Sequence, residues 1–176
     1  MDHSLKTRGD PGSEQFEVRS YPFFQLNRAA NRYNQVIEAE LRNIGLEVLA
    51  WRVLMILGEQ APLPAAKVAD LAVINLSTLT RLITRMKKVD LVDTSTSPSD
   101  RRVTEIQLTQ TGQAKLLEAR KLTAPFYGHA IDGFSEEELA SFLEMLRRLH
   151  GNLAAAPATI ELEVKRKAGR LAAQSA

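Results

Sequence analysis

The chain has no cysteine, which removes a disulfide framework, a thiol redox sensor and every thiolate metal site at once. Histidine is nearly as scarce, and His3, His129 and His150 stand far apart with no ligand spacing among them. Also missing are a G-x-S-x-G elbow, a phosphate loop and a dinucleotide fingerprint. The run Glu136-Glu137-Glu138 is the acidic first turn of a helix rather than a catalytic cluster. No catalytic residue, metal ligand or cofactor is assigned, and an enzyme is not expected. No stretch approaches the ~18 consecutive apolar residues of a membrane span, and the polar segment from Met1 to Gln15 lacks the apolar centre of a signal peptide. A soluble, cytoplasmic protein with no membrane partner is the expectation. A strong excess of one charge is lacking too: the formal net charge is +2, so a nucleic-acid face must come from local clustering.

What is present is a 176-residue chain, 44% hydrophobic, long enough for a sizeable core. Residues 1–20, with Gly9, Pro11, Gly12 and Ser13 among scattered charges, read as a flexible tail. Leu26, Ala30, Tyr33, Ile37, Leu41 and Ile44 then recur at spacings of three and four, predicting an amphipathic helix from Pro22 to Asn43 that Gly45 stops. A more apolar helix follows over 47–59. After Ala61-Pro62-Leu63-Pro64, Pro64 is suited to open a short helix ending at Ala72, and Asn75 to cap another from Leu76 to Val89. Leu91-Val92 opens a strand, Thr94 to Asp100 is turn-rich, and Val103 to Leu108 forms the returning strand of a hairpin. Thr109 caps a long helix from Gln110 in which Pro125 predicts a bend. Ser135 and Glu138 form a capping box for a further helix with apolar Leu139, Phe142, Leu143, Leu146 and Leu149, and a last segment starts at Thr159.

Helix, turn, helix and hairpin across residues 65–108 make the layout of a winged helix-turn-helix, whose second helix enters the major groove of DNA. Leu79, Leu82, Ile83 and Met86 must face the core. Ser77, Thr78, Thr80, Arg81, Thr84 and Arg85 are left for double-stranded DNA, with no acidic residue between Leu76 and Lys88. Hydroxyls and arginines serve base edges and phosphates alike. At the hairpin tip Asp100-Arg101-Arg102 offers guanidinium groups to a minor groove, with a carboxylate to fix their pose. From Arg81 to Arg102 six basic residues face only Asp90, Asp93 and Asp100, so much of the net positive charge sits in this one unit.

On these motifs the run from Gly45 to Ala119 resembles the multiple-antibiotic-resistance regulator (MarR) family. They are Gly45-Leu46, Trp51-Arg52-Val53-Leu54, the segment Leu79 to Met86, Leu91-Val92, Ser97-Pro98-Ser99-Asp100-Arg101-Arg102 and Leu108-Thr109-Gln110-Thr111-Gly112. Two positions depart from the family pattern: Asp90 stands where glycine is usual, and Ser97 where an acidic residue usually opens the wing. The resemblance implies a mainly α fold with a small β-hairpin wing, a winged helix-turn-helix plus helical dimerisation bundle. Residues 21–176 then form a single unit, with the DNA-binding lobe at 47–108 and dimerisation helices at 21–46 and 109–176. It further implies a homodimer on a pseudo-palindromic operator, usually a repressor, released by a small-molecule effector such as an aromatic acid or its acyl-CoA thioester. The Trp51-Arg52-Val53-Leu54 variant resembles members that control aromatic catabolism. An activator, or an architectural protein that binds DNA without a ligand, fits the same lobe.

For the effector, Asn27, Asn31 and Asn34 recur along one face of the first long helix, beside Arg28 and Arg32, where an anion could be received. Phe23, Phe24 and Trp51 could wall an apolar pocket. The same asparagines also read as a solvated face, and Trp51 as simple core.

Overall fold

The computed structural model describes residues 4–155. Its elements run α1 (Leu5–Arg8), a 3-10 turn (Val18–Ser20), α2 (Pro22–Asn43), α3 (Val48–Glu59), β1 (Leu63–Pro64), α4 (Ala65–Ala72), α5 (Leu76–Lys88), β2 (Val92–Thr96), β3 (Thr104–Leu108), α6 (Gln110–Ala130) and α7 (Glu136–Ala154). The chain divides after Ala130 into two compact units. The segment starting at Thr159 lies outside the described residues.

The fold is mainly helical with a small antiparallel sheet, the winged helix-turn-helix that the sequence implies. Asn75 caps α5 by accepting the Thr78 amide at 2.8 Å, and Thr109 caps α6 by accepting the Gly112 amide at 3.0 Å. The capping box at Ser135 and Glu138 is complete. The hairpin has one more strand than periodicity suggests. Leu63 and Pro64 pair with Ile106 and Glu105, giving the strand order β1-β3-β2. Pro64 is therefore not the first residue of α4; it holds an extended conformation (φ −54°, ψ 137°) just before it. An edge strand tolerates a proline, because the missing N–H faces away from the ladder. Leu63 and Ile106, opposite each other, are both buried.

Residues 4–20, where the sequence suggests a tail, have local order of their own. Ser4 caps α1 through the Thr7 amide, Arg8 lies 3.6 Å from Glu17, and Tyr21 makes edge contacts with the rings of Phe16 and Phe23. The physical reason is the aromatic cluster: Phe16 gives the segment an apolar anchor at the start of α2.

The core of the first unit joins the lobe to the long helices. Ile37 and Leu41 of α2, Trp51, Leu54 and Leu57 of α3, Leu79, Leu82 and Met86 of α5, and Leu116 and Ala119 of α6 are all buried. Gly112 is needed where α6 starts, because a Cβ there would overlap the Leu91 carbonyl at the entry to the wing. Helix α6 extends past Pro125, which has no N–H to give to the helix ladder. Coverage along α2 is uneven. Ile37 and Leu41 are buried, whereas Ala30, Tyr33 and Val36 are exposed. Helix α7 has no buried residue, and Phe142, Leu143 and Met145 stand exposed on it.

Candidate nucleic-acid interface

Helix α5 fits its position because its apolar residues fall on one side. Leu79, Leu82, Ile83 and Met86 are at most 7% exposed, and at about 100° per residue the stripe opposite them is Ser77, Arg81, Thr84 and Lys88. All four are exposed. Thr78 and Arg85 flank this stripe on one side; Leu76, Thr80 and Lys87 flank it on the other, facing the wing. A cavity of about 490 Å³ separates that second flank from the sheet, lined in part by Leu76, Thr80, Thr84, Lys87, Arg102 and Thr104.

The cations of this surface fall into two groups. Arg85 Nη2 lies 2.9 Å from Oε2 of Glu47, the residue just before α3. Lys87 Nζ lies 2.6 Å from Thr94 Oγ1 and 3.3 Å from Asp93 Oδ1, bracing α5 against β2. The Thr94 amide, and then Lys87, hold the Asp93 carboxyl below the usual carboxylate range. At the wing, Asp100 Oδ1 accepts both the backbone N–H of Arg102 (3.0 Å) and its Nε–H (3.3 Å). One carboxylate oxygen thus fixes the start of the Arg102 side chain, rather than a two-oxygen fork, and the side chain is 92% exposed. Arg81, Lys88 and Arg101 are exposed and have no ion-pair partner among the described residues.

Hydroxyl groups behave differently from the sequence picture. Ser77 Oγ donates to Asn75 Oδ1 at 2.7 Å, Thr80 Oγ1 to the Leu76 carbonyl at 2.8 Å and Thr84 Oγ1 to the Thr80 carbonyl at 2.9 Å. A hydroxyl has one proton to give, and in these three residues it is given inside the protein. No periodicity argument could have found this, because it depends on rotamers.

The two departures from the family pattern are accommodated. Asp90 takes the left-handed conformation (φ 55°) that glycine usually supplies, and its carboxylate accepts the Thr111 hydroxyl at 2.7 Å. Ser97 is buried at the base of the wing loop, where its amide bonds the Val103 carbonyl at 2.8 Å and its hydroxyl meets that of Ser99.

The residues singled out for an effector are only partly brought together. Phe24, Asn27, Arg28, Asn31 and Arg32 line one open groove with Phe16, Val18 and Tyr21, and the Arg28 guanidinium sits 5.4 Å from the Phe24 ring centroid. Phe16, Val18 and Tyr21 were missed because they precede the periodic run of α2. Phe23 packs on Tyr21 outside the groove lining, and Trp51 lies in the core at 3% exposure with its Nε1–H lacking a partner among the described residues.

The MarR family model matches residues 46–104, the span from the α2–α3 turn to the start of β3. The chain is 35% identical to the HTH-type transcriptional repressor IacR of Pseudomonas putida, over 82% of its own length and 86% of that protein. The chain belongs to the MarR family. Its function is, at the level of class, regulation of transcription through DNA. Its fold is similar to a MarR-family transcriptional regulator from Silicibacter pomeroyi (26% identity, TM-score 0.71, 77% of this chain and 92% of that one). It is also similar in fold to Bordetella bronchiseptica BpsR, solved in work on regulation of its DNA binding by 6-hydroxynicotinic acid (24% identity, TM-score 0.62, 72% of this chain and 96% of that one). Among the described residues, no helix is long and apolar enough to cross a membrane.

Proposed function

We propose that this MarR-family chain is a homodimeric repressor that binds a pseudo-palindromic operator and is released by a small anionic aromatic ligand or its CoA thioester. The observation that carries it is the solvent stripe of α5, where Arg81 and Lys88 stand unpaired among the described residues, beside a wing that presents Arg101 and Arg102. Ser77, Thr78, Thr80, Arg81 and Thr84 meet the major groove, and the wing enters the neighbouring minor groove with Asp100 setting the pose of Arg102. Arg85 stands on the flank of this surface, where Glu47 already engages its guanidinium. Repressor action is supported by the IacR likeness.

Dimerisation rests on residues 21–46 and 109–176, with 47–108 as the DNA-binding lobe. The uncovered apolar residues of α2 and α7 support it, since an exposed apolar helix face favours a partner. Two recognition helices in such a dimer meet successive major grooves roughly 34–36 Å apart.

Support for the effector comes from the groove on α2. An aromatic ring would lie against Phe24 and Tyr21, with its anionic group received by Arg28, Arg32 and the amides of Asn27 and Asn31. The compound that regulates DNA binding by BpsR, 6-hydroxynicotinic acid, has this chemistry. Release requires that the ligand prefer one spacing of the two lobes over the other; a hundredfold loss of operator affinity needs a differential of about 2.7 kcal/mol. The test is operator release followed by fluorescence anisotropy, with aromatic acids and acyl-CoA thioesters titrated into the wild type and Arg28→Ala. The variant should bind operator almost normally and respond to at least tenfold more ligand. Equal release of both proteins would return this groove to an ordinary solvated surface.

A further inference from the structure

We infer that α5 reads thymine through its C5-methyl group, using the apolar atoms of Leu76 and Thr80 rather than hydroxyl hydrogen bonds. This rests on the proposed DNA face. Leu76 is the first residue of α5, the end of a recognition helix that reaches base edges. Yet it is 51% exposed, an apolar side chain that stands outside the buried core. It lies on the same flank as Thr80, four residues on, and both line the cavity that opens toward Arg102 of the wing.

The hydroxyl geometry decides what this flank can recognise. Thr80 Oγ1 already donates to the Leu76 carbonyl, and Thr84 Oγ1 to the Thr80 carbonyl. Phosphate oxygens and the acceptor atoms of guanine, adenine and thymine all require a donor. These two threonines supply one only by giving up their bond to the helix. Held as they are, they present their methyl groups and an accepting oxygen. In the major groove the one apolar landmark is the thymine methyl, which threonine methyl and aliphatic side chains contact. Leu76 with the Thr80 methyl therefore forms an apolar step beside the Arg81 stripe, matched to thymine next to the position that Arg81 reads.

Deoxyuridine tests this directly, because it lacks the C5-methyl and keeps the hydrogen-bonding edge of thymine. A binding site is first selected from random duplexes with the full chain, then synthesised with thymine or with deoxyuridine throughout. Wild-type protein should bind the thymine duplex about tenfold more tightly, on the order of the worth of burying one methyl group in each of the two half-sites. The double variant Leu76→Ala/Thr80→Ser, in which both changed side chains lie outside the core, should bind both duplexes within twofold of each other. Equal binding of the two duplexes by the wild type overturns the inference while leaving the DNA face intact. A thymine preference undiminished in the double variant overturns it too, by assigning the effect to DNA stacking. Failure to select any sequence overturns both the inference and the DNA face on which it rests.

Discussion

Arg85 of the recognition helix and Glu47 at the start of α3 form an ion pair of 2.9 Å across 38 residues of sequence. Both side chains are more than half exposed, so the pair contributes under about 1 kcal/mol to stability. Its importance lies in which cation it occupies. Glu47→Gln should free Arg85 for a phosphate, raising affinity for DNA two- to fivefold and steepening the salt dependence by about 0.9 for each additional phosphate neutralised. Arg85→Ala should leave the slope nearly unchanged. Anisotropy titrations across a salt series decide it: a slope flattened by about one unit in Arg85→Ala would mean that the wild-type arginine already contacts a phosphate.

Asp90 and Thr111 make the second prediction. A left-handed residue with a Cβ is strained by roughly 1–2 kcal/mol, less for Asp than for most, and here the Thr111 hydroxyl bonds the carboxylate. Asp90→Ala should lower unfolding stability by about 1–2 kcal/mol in urea, since it keeps the strain and loses the bond. Asp90→Gly should stay close to the wild type. The reverse order would show that the Thr111 contact does not hold this turn.

Much of the lobe was legible in the sequence because its signals are local. Asn75, Thr109 and Ser135 mark helix starts by side-chain chemistry, and Leu79, Leu82, Ile83 and Met86 mark a buried face by spacing alone. What was not legible depends on contacts distant in sequence or on rotamers. Strand β1 has only Leu63 and Pro64 and exists because β3 lies beside it. The Glu47–Arg85 pair leaves no periodic trace, and the turned-in hydroxyls of Ser77, Thr80 and Thr84 look identical to free ones in a sequence. Trp51 shows the limit from the other side: a lone tryptophan reads as pocket wall or core, and burial places it in the core.

Val73, in the turn between α4 and α5, has φ 55° and is 73% exposed. A β-branched residue in this conformation is strained, and with so much of its side chain in water little packing offsets the cost. Val73→Asn should stabilise the protein by about 0.5–1 kcal/mol without changing DNA affinity. A loss of stability in thermal or urea unfolding would mean that the valine makes contacts that outweigh its strain.

Asp93 gives a pH dependence of definite sign. Its carboxyl is held below the usual range by the Thr94 amide and then by Lys87. A group with a lowered folded pKa stabilises above its unfolded value, about 3.9, and loses that contribution as pH falls through the folded pKa. The stability gap between wild type and Asp93→Asn should therefore be constant from about pH 6 to 8 and shrink below about pH 4. A gap that widens on acidification contradicts the assignment.

The most direct test of the DNA face is operator binding by Arg81→Ala. The measurement is fluorescence anisotropy of a selected duplex and of a scrambled duplex of equal length, at one fixed salt concentration, with wild type and variant. Arg81 stands at the centre of the solvent stripe of α5 with no ion-pair partner among the described residues. The variant should lose about 1–3 kcal/mol per half-site on the selected duplex and little on the scrambled one, so that the ratio between them collapses. An unchanged ratio would mean that α5 does not read the operator, and the DNA face would have to be sought elsewhere on the molecule.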